Sequence, residues 1–335
     1  MISTEHPTMS FTLYRRPGAV VFLDDDPDYL EMLAEVMPLD WLVRLLMRPV
    51  ACIEMLLAEL PARESDLWRQ QAIVNRWQEG VALIPQILSY WREDGTNRFS
   101  RTQVCIVDYS MPSMSGLRVL NGLSSWSGYR ILLTGRTDEQ LAVSAFNRGL
   151  IEQFIPKQTP DIRLRLTAAI QALLHRADPR YEQVWRGTLS REQNALLDDP
   201  LMSAALEKLA HGQGWVEHVV IGSPFGILAL DNRGRAVWLQ LEPSNRLAEL
   251  AELATSQGWD ANSVQEIADG KKIIDLELQL ALGGDKPRIQ AASMVVCKEL
   301  TVHMALFPID TPLAPGALSS YERFVAAHGE RSLQD

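Results

Sequence analysis

Five polar side chains follow short apolar segments in the first half of the chain, where strands of a sheet would end. They are Asp24, Asp25, Asp108, Thr134 and Lys157. The carboxyl ends of parallel strands lie along one edge of a sheet, so we expect these side chains to meet there. Carboxylates gathered in this way are hard oxygen ligands that suit Mg²⁺. A Mg²⁺ ion would neutralise an incoming phosphoryl group, an Asp carboxylate could accept that group, and Thr and Lys could hold its other oxygens.

Short apolar runs alternate with helical patterns over this half, which is typical of an open parallel α/β sheet. The predicted strands are Ala19–Leu23, Trp41–Met47, Val104–Val107, Ile131–Leu133 and Gln153–Ile155. The first predicted helix begins at an Asp26 cap followed by Pro27, and it ends before Pro38. The other helices are predicted over Val50–Leu60, Ser115–Leu123, Asp138–Leu150 and a stretch opened by Thr159-Pro160. The sequence therefore predicts five βα units.

The connection between the second and third predicted strands is about 35 residues longer than two helices with their loops require. Apolar residues in this surplus, near 62–99, recur at steps of three, four or seven, which predicts helices with a break at Pro85. The insert holds three of the nine tryptophans, Trp68, Trp77 and Trp91. Two interpretations stay open: a helical cap over the sheet edge, or an exposed partner or dimer surface.

The pattern changes in the second half of the chain. A helical connector at 177–214, with helices over Arg191–Leu197 and Pro200–Ala210, precedes an α+β module with an antiparallel sheet at 215–310 and a C-terminal tail at 311–335. The predicted strands of the module are Phe225–Leu230, Ala236–Leu241, Ile273–Leu282, Ile289–Val296 and Thr301–Pro308, and its helices are Asn245–Ala254 and Ala261–Ala268. A hairpin turn at Asp231–Gly234 joins the first two strands.

Composition and charge narrow the function classes. Hydrophobic residues make up 47% of the chain and charged residues 22%, which is ordinary globular usage. The net charge of −10 divides into −3 for residues 1–175 (17 basic, 20 acidic) and −7 for 176–335 (15 basic, 22 acidic), which disfavours a nucleic-acid-binding output. We expect no membrane-spanning helix and no secretory signal. Three scattered cysteines do not suit a disulfide framework and fit a reducing cytoplasm.

Four segments resemble the receiver domain of two-component response regulators. They stand in the family's order as VVFLDDDPDYL, VCIVDYSMPSMSGL, ILLTG and FIPK, and they span about 18–176. The resemblance implies a flavodoxin-like, doubly wound, five-stranded receiver domain interrupted by the insert. It also implies Mg²⁺ as the cofactor and a histidine kinase or phosphotransfer protein as the partner.

The resemblance assigns roles in the acidic pocket. Asp108, in the context of Met111-Pro112 and Gly116, corresponds to the phosphoacceptor. It is also a Mg²⁺ ligand, together with Asp25 directly, Asp24 mostly through water, and a backbone carbonyl, which corresponds to that of Ser110.

Three further residues correspond to the family's phosphoryl-binding and switch positions. Thr134 corresponds to the switch hydroxyl. Lys157 corresponds to the phosphoryl-binding lysine, and it is the only lysine among the first 175 residues. Phe154 is either the family's rotamer switch or a plain core residue.

The second half resembles a PAS domain over 215–310, in its strand order and hairpin. We therefore expect an interaction or sensor output without enzymatic activity, and the insert or this module could support a homodimer. One alternative is a DNA-binding transcription regulator that uses helices within 245–272, although Gln265, Glu266 and Asp269 stand where base readout favours Arg, Lys or Asn. Another alternative is an enzyme with a catalytic second half, which no nucleophile–base pair or metal cluster supports.

Overall fold

The computed structural model describes residues 10–135, 139–298, 300–310, 318–329, 331 and 333–334. Its contacts group the chain into two compact units, each drawn from three separate segments. The parallel-sheet unit comprises Pro17–Trp68, Thr96–Arg176 and Tyr321–Asp335, and the antiparallel-sheet unit comprises Met1–Arg16, Arg69–Gly95 and Ala177–Ser320. The domain boundaries predicted from the sequence run along the chain without this exchange of segments.

Six strands form the parallel sheet. With elements numbered along the chain, they are β2 (Ala19–Leu23), β3 (Val43–Leu46), β4 (Thr102–Asp108), β5 (Tyr129–Thr134), β6 (Gln153–Pro156) and β14 (Leu333–Gln334). Their spatial order is β14-β3-β2-β4-β5-β6, and every neighbouring pair is parallel. The predicted five-stranded doubly wound sheet is confirmed. The short sixth strand comes from the predicted tail, where Leu333 pairs with Leu45.

Helices cover both faces of this sheet, which is why the strands are nearly continuous apolar runs. On one face lie α1 (Pro27–Val36) and α7 (Ile162–Leu174), and on the other lie α2 (Pro49–Ala58), α5 (Gly116–Gly122) and α6 (Glu139–Asn147). Alternate residues of β2 serve the two faces. Phe22 packs into the first core cluster and Val21 into the second.

Helix α1 begins where the sequence predicts, whereas α7 does not. The Asp26 side chain accepts hydrogen bonds from the backbone N–H groups of Asp28 and Tyr29, so the predicted cap is confirmed. The cap predicted at Thr159-Pro160 is wrong, because the Thr159 N–H bonds to the Pro156 carbonyl in a turn and Asp161 is the N-cap. The predicted first residue of α6, Asp138, lies outside the described residues.

The insert consists of α3 (Leu60–Gln78) and α4 (Leu83–Asp94), followed by a 3₁₀ turn at Asn97–Phe99. The predicted break at Pro85 is wrong, because the chain turns at residues 79–82, where Gly80 has φ +98°. Pro85 lies in the first turn of α4, where its missing N–H leaves no helical hydrogen bond unmade. Trp91 is buried and Trp68 is 74% exposed. Residues Arg69–Gly95 group with the antiparallel-sheet unit.

The antiparallel-sheet unit contains a six-stranded sheet in the order β1-β7-β8-β9-β13-β12. These strands are β1 (Tyr14–Arg15), β7 (Trp215–Gly222), β8 (Phe225–Asp231), β9 (Ala236–Pro243), β12 (Ser293–Val296) and β13 (Thr301–Pro308), and a separate pair is formed by β10 (Lys272–Ile274) and β11 (Ile289–Ala291). The predicted antiparallel α+β architecture is confirmed. Its specific likeness to a PAS domain stays a prediction.

Two predicted strands of this unit are wrong in part. The Ile273–Leu282 segment forms only the short β10 and then α13 (Leu276–Leu282), because the buried Asp275 ends the strand by bonding to Arg288. The Ile289–Val296 segment is divided into β11 and β12, which lie in different sheets. Strand β7 was not predicted from the sequence, since Glu217 and His218 interrupt its apolar run, although both are buried.

The remaining helices follow the chain order. They are α8 (Pro179–Arg186), α9 (Arg191–Leu197), α10 (Pro200–Gly212), α11 (Leu247–Ser256), α12 (Ala261–Ala268) and α14 (Tyr321–His328), with a 3₁₀ turn at Ser244–Arg246. Within the described part of the chain, no helix has both the length and the apolar character needed to cross a bilayer.

Candidate phosphoryl-acceptor and metal site

Parallel register brings the predicted site residues to one edge of the sheet. Asp108 is the last residue of β4, where it lies beside Leu133 of β5. Thr134 is the last residue of β5, and Lys157 follows β6 directly. Asp24 follows β2, whose last residue pairs with the residue before Asp108. The edge is therefore assembled from four successive strands of the sheet order.

Three carboxylates converge at this edge. One oxygen each of Asp24, Asp25 and Asp108 lies within 4.8 Å of the other two. Asp24 and Asp108 are buried, at 2% and 4% exposure, whereas Asp25 is open to solvent. Ligands held about 2.1 Å from Mg²⁺ lie about 3–4 Å from one another, so this donor set fits a hard cation that keeps several waters. Like charges at this spacing repel, which favours a cation among them.

Lys157 supplies a positive charge inside this acidic cluster. Its Nζ lies 2.6 Å from Oδ2 of Asp24 and 2.8 Å from Oδ1 of Asp108. Burial lowers the pKa of Lys157, but its hydrogen bonds to Asp108 and Asp24 outweigh that effect, and the pKa is raised overall. Burial raises the pKa of Asp24, and the bond to Lys157 opposes that rise. The ammonium therefore stays charged and bridges the two buried carboxylates.

Tyr29 also contacts Lys157, a contact that was not predicted from the sequence. The Lys157 Nζ lies 4.4 Å from the centroid of the Tyr29 ring, which is a cation–π distance. Tyr29 stands in the first turn of α1, three residues after the Asp26 cap. The start of α1 directly after β2 places this turn near the pocket, but nothing in the sequence marks the tyrosine itself as a partner of Lys157.

Thr134 contributes a buried hydroxyl. The residue is fully buried, and its Oγ1 has no hydrogen-bond partner among the described residues. A buried hydroxyl without a partner is costly, so such an atom points to a ligand group that completes its bonding. An oxygen of a phosphoryl group fits this requirement.

The loop after β4 fixes Asp108. The Tyr109 N–H bonds to the carbonyl of Leu133, and the Gly116 N–H bonds to the carbonyl of Tyr109, both at 2.9 Å. The Ser110 N–H donates to Oδ2 of Asp108 at 3.0 Å. A Cβ at position 116 would lie 2.2 Å from the Asp108 carbonyl oxygen, so this close approach requires glycine. Asp108 is thereby held in place by the loop that the motif predicted.

The structure thus brings Asp24, Asp25, Asp108 and Lys157 together, with Thr134 at the end of the neighbouring strand. The metal role of the Ser110 carbonyl stays a prediction. Phe154 is half-buried and packs against the core cluster on the side of α2, α5 and α6, so its rotamer-switch role also stays a prediction.

Comparison with solved structures places this geometry in a known fold. The structure of the Legionella pneumophila response regulator LqsR matches with a TM-score of 0.69 at 22% identity, covering 95% of this chain and 97% of that one. A signal receiver domain of an HD-domain-containing protein from Pseudomonas fluorescens matches with a TM-score of 0.33 at 19% identity, covering 53% of this chain and 97% of its own.

A response regulator receiver domain protein from Clostridium thermocellum matches with a TM-score of 0.28 at 18% identity, covering 47% of this chain and 94% of its own. No protein-family model and no curated protein matches the sequence. The match to LqsR extends over both units, whereas the receiver matches cover about half of the chain. Over nearly its whole length, the chain shares the fold of the response regulator LqsR.

Proposed function

We propose that this protein is a two-component response regulator that accepts a phosphoryl group on Asp108 from a histidine kinase or phosphotransfer protein. The observation that carries the proposal is the Lys157 ammonium, which bridges Asp24 and Asp108 inside a cluster of three carboxylates. Such a cluster, with one lysine and a buried threonine hydroxyl that has no partner within the described part of the chain, matches the needs of an aspartyl phosphate. The proposed setting is the cytoplasm, since the three cysteines are free thiols.

The proposed reaction uses each group in a defined way. A carboxylate oxygen of Asp108 forms a bond to phosphorus while the P–N bond of the donor phosphohistidine breaks, and the imidazole nitrogen keeps the electron pair. Asp24 and Asp25, with Asp108, hold a Mg²⁺ ion, which supplies charge neutralisation on the phosphoryl oxygens when bound. The Lys157 ammonium donates to one phosphoryl oxygen and the Thr134 hydroxyl to another.

The proposed output acts through protein contacts rather than through DNA. Helix α12, the second helix of the DNA-binding alternative, contains no Lys or Arg, and its capping Asp260 adds negative charge at one end. Its Gln265 bonds to Asp269. A surface of this kind repels the phosphate backbone of DNA. A homodimer through the insert or the antiparallel-sheet unit, and a PAS-like sensor role of that unit, belong to the same proposal.

A small phosphodonor such as acetyl phosphate tests the proposal on the full chain. We expect wild-type protein to be labelled in the presence of Mg²⁺ and labelling to be lost in Asp108→Asn and after chelation of the metal. Asp28→Asn is the matched control, because Asp28 is an exposed carboxylate in the same loop–helix junction that lies outside the three-carboxylate cluster. Full labelling of Asp108→Asn would contradict the assignment.

A further inference from the structure

Among the described residues, the Lys157 ammonium has three close contacts, of which two are carboxylates and one is an uncharged aromatic ring. Two carboxylate oxygens lie at 2.6 and 2.8 Å, from Asp24 and Asp108. The third contact is the ring of Tyr29, with its centroid 4.4 Å from Nζ. An ammonium has three N–H donors, so the two carboxylates leave one side of it for the ring.

Tyr29 is itself held in place. Its backbone N–H bonds to Oδ1 of the Asp26 cap at 3.2 Å, which fixes the first turn of α1. Its ring packs against the core cluster that contains Leu30 and Leu33. The ring is therefore a rigid surface, whereas the Lys157 side chain is a flexible four-carbon stem that is 25% exposed.

We propose that Tyr29 is a positioning residue that keeps the Lys157 ammonium at the pocket while Asp108 is phosphorylated. This inference rests on the proposed function and deepens it. The face of an aromatic ring attracts an ammonium without cancelling its charge. When a phosphoryl group arrives, the ammonium must leave a carboxylate for a phosphoryl oxygen, and the ring contact persists through that exchange. A carboxylate in place of the ring would compete with the phosphoryl group, and an aliphatic side chain would leave the ammonium free to move into solvent.

The first test measures phosphorylation rates of the full chain with acetyl phosphate and Mg²⁺. Tyr29→Leu removes the ring, and we expect the rate constant to fall about three- to tenfold. Tyr29→Phe keeps the ring and is expected to stay within about twofold of wild type. Tyr129→Leu is the matched control, because Tyr129 makes a similar contact with Arg176, 5.3 Å from ring centroid to guanidinium carbon, at the opposite end of β5. A Tyr29→Leu rate equal to wild type would overturn the inference.

A double-mutant cycle separates action through Lys157 from a general loss of structure. In a Lys157→Met background, whose labelling we expect to be slow but measurable, Tyr29→Leu should cause no further loss. An equal loss in both backgrounds would mean that Tyr29 acts on something other than the lysine, and it would overturn the inference.

The contact can also be measured without phosphorylation. In protein labelled with [¹³Cε]lysine, the Lys157 signal is assigned by its absence in Lys157→Met. We expect ring-current shielding of its ε protons in wild type and Tyr29→Phe, and loss of that shielding in Tyr29→Leu. An unshielded wild-type signal would overturn the inference even if phosphorylation proceeds. If wild type shows the shielding but accepts no phosphate, the proposed function fails while the lysine–ring contact stands.

Discussion

The indole Nε1 of Trp185 donates a hydrogen bond to Oε1 of Gln70 at 2.8 Å, and both side chains are buried within the antiparallel-sheet unit. Gln70 belongs to the insert and Trp185 to the helical connector, so the contact joins two segments that are more than a hundred residues apart in sequence. The amide of Gln70 also donates to the hydroxyl of Tyr90. The part of the insert at Arg69–Gly95 therefore contributes to the interior of this unit, and its removal would expose a tryptophan.

We predict that Gln70→Leu lowers the free energy of unfolding by about 1–3 kcal/mol, because it leaves the buried Trp185 N–H without an acceptor. Urea unfolding followed by tryptophan fluorescence measures the change. Gln71→Leu is the control, because Gln71 is its neighbour in α3 and bonds only to the exposed Asn75 in the described structure. Equal stability of Gln70→Leu and wild type would show that the bond contributes nothing.

The buried carboxyl group of Glu242 should make the free energy of unfolding depend on pH. It lies buried in β9, where Oε1 accepts a hydrogen bond from Gln240 at 3.0 Å, and burial raises its pKa to about 7. Since its ordinary pKa is 4.5, the folded state binds a proton between pH 4.5 and 7 that the unfolded state has released. Stability should therefore fall as the pH rises through this window.

Glu242→Gln removes that titration. We expect the variant to be more stable than wild type above pH 7, by about 2–4 kcal/mol, with the difference shrinking toward pH 4.5. Thermal unfolding at several pH values measures both curves. Parallel curves for the two proteins between pH 4.5 and 8 would contradict the raised pKa of Glu242.

A side chain at position 116 should disturb the loop after β4 that holds Asp108. Because a Cβ at this position would lie 2.2 Å from the Asp108 carbonyl oxygen, Gly116→Ala must displace the backbone that holds the acceptor. We expect a melting temperature lowered by several degrees and slower labelling by acetyl phosphate. Gly212→Ala is the control, since its Cβ would meet nothing within 4 Å. Wild-type labelling by Gly116→Ala would mean that the loop adapts without moving Asp108.

We predict that Thr134 helps to transmit the effect of phosphorylation at Asp108 to the helices that follow it. A phosphoryl group adds about −1.5 to −2 charge and three acceptor oxygens at Asp108. We expect these oxygens to engage Thr134 and Lys157 and to shift α6 and α7, which follow them in the chain. Hydrogen exchange with and without beryllofluoride, a phosphoryl mimic, should change within 139–175 and in the connector. Thr134→Ala should weaken these changes, and protection changes confined to the loop at Asp108 would exclude this route.

Much of the parallel sheet could be predicted because its central strands, such as Ala19–Leu23, are buried on both faces and form apolar runs in the sequence. The same reasoning failed in the antiparallel sheet wherever a polar residue is buried within a strand. Glu217 and His218 are buried in β7, and the imidazole of His218 bonds to the Thr12 carbonyl, stacks on Phe11 and has its pKa lowered by burial to about 3. A prediction from the apolar pattern alone interprets such buried polar residues as the end of a strand.

The candidate site divides in the same way. Asp24, Asp25, Asp108, Thr134 and Lys157 could be predicted because strand ends and parallel register define one edge of the sheet. Tyr29 could not be predicted from its residue type, because a tyrosine in the first turn of a helix has no chemical signature until a cation lies above its ring. Pairings between distant segments, such as Leu333 with Leu45, leave no local trace at all.

Each unit contains a strand from one end of the chain, so pairing of these strands must wait until distant residues have been synthesised. Tyr14 pairs with Val219, which leaves the ribosome 205 residues later, or about 10–40 s at ordinary elongation rates. During that interval the first strand has no partner, and the parallel sheet still lacks its last strand, β14. Neither sheet can be completed until its distant partner strand has been synthesised, so a product truncated before Val219 should leave the first strand unpaired.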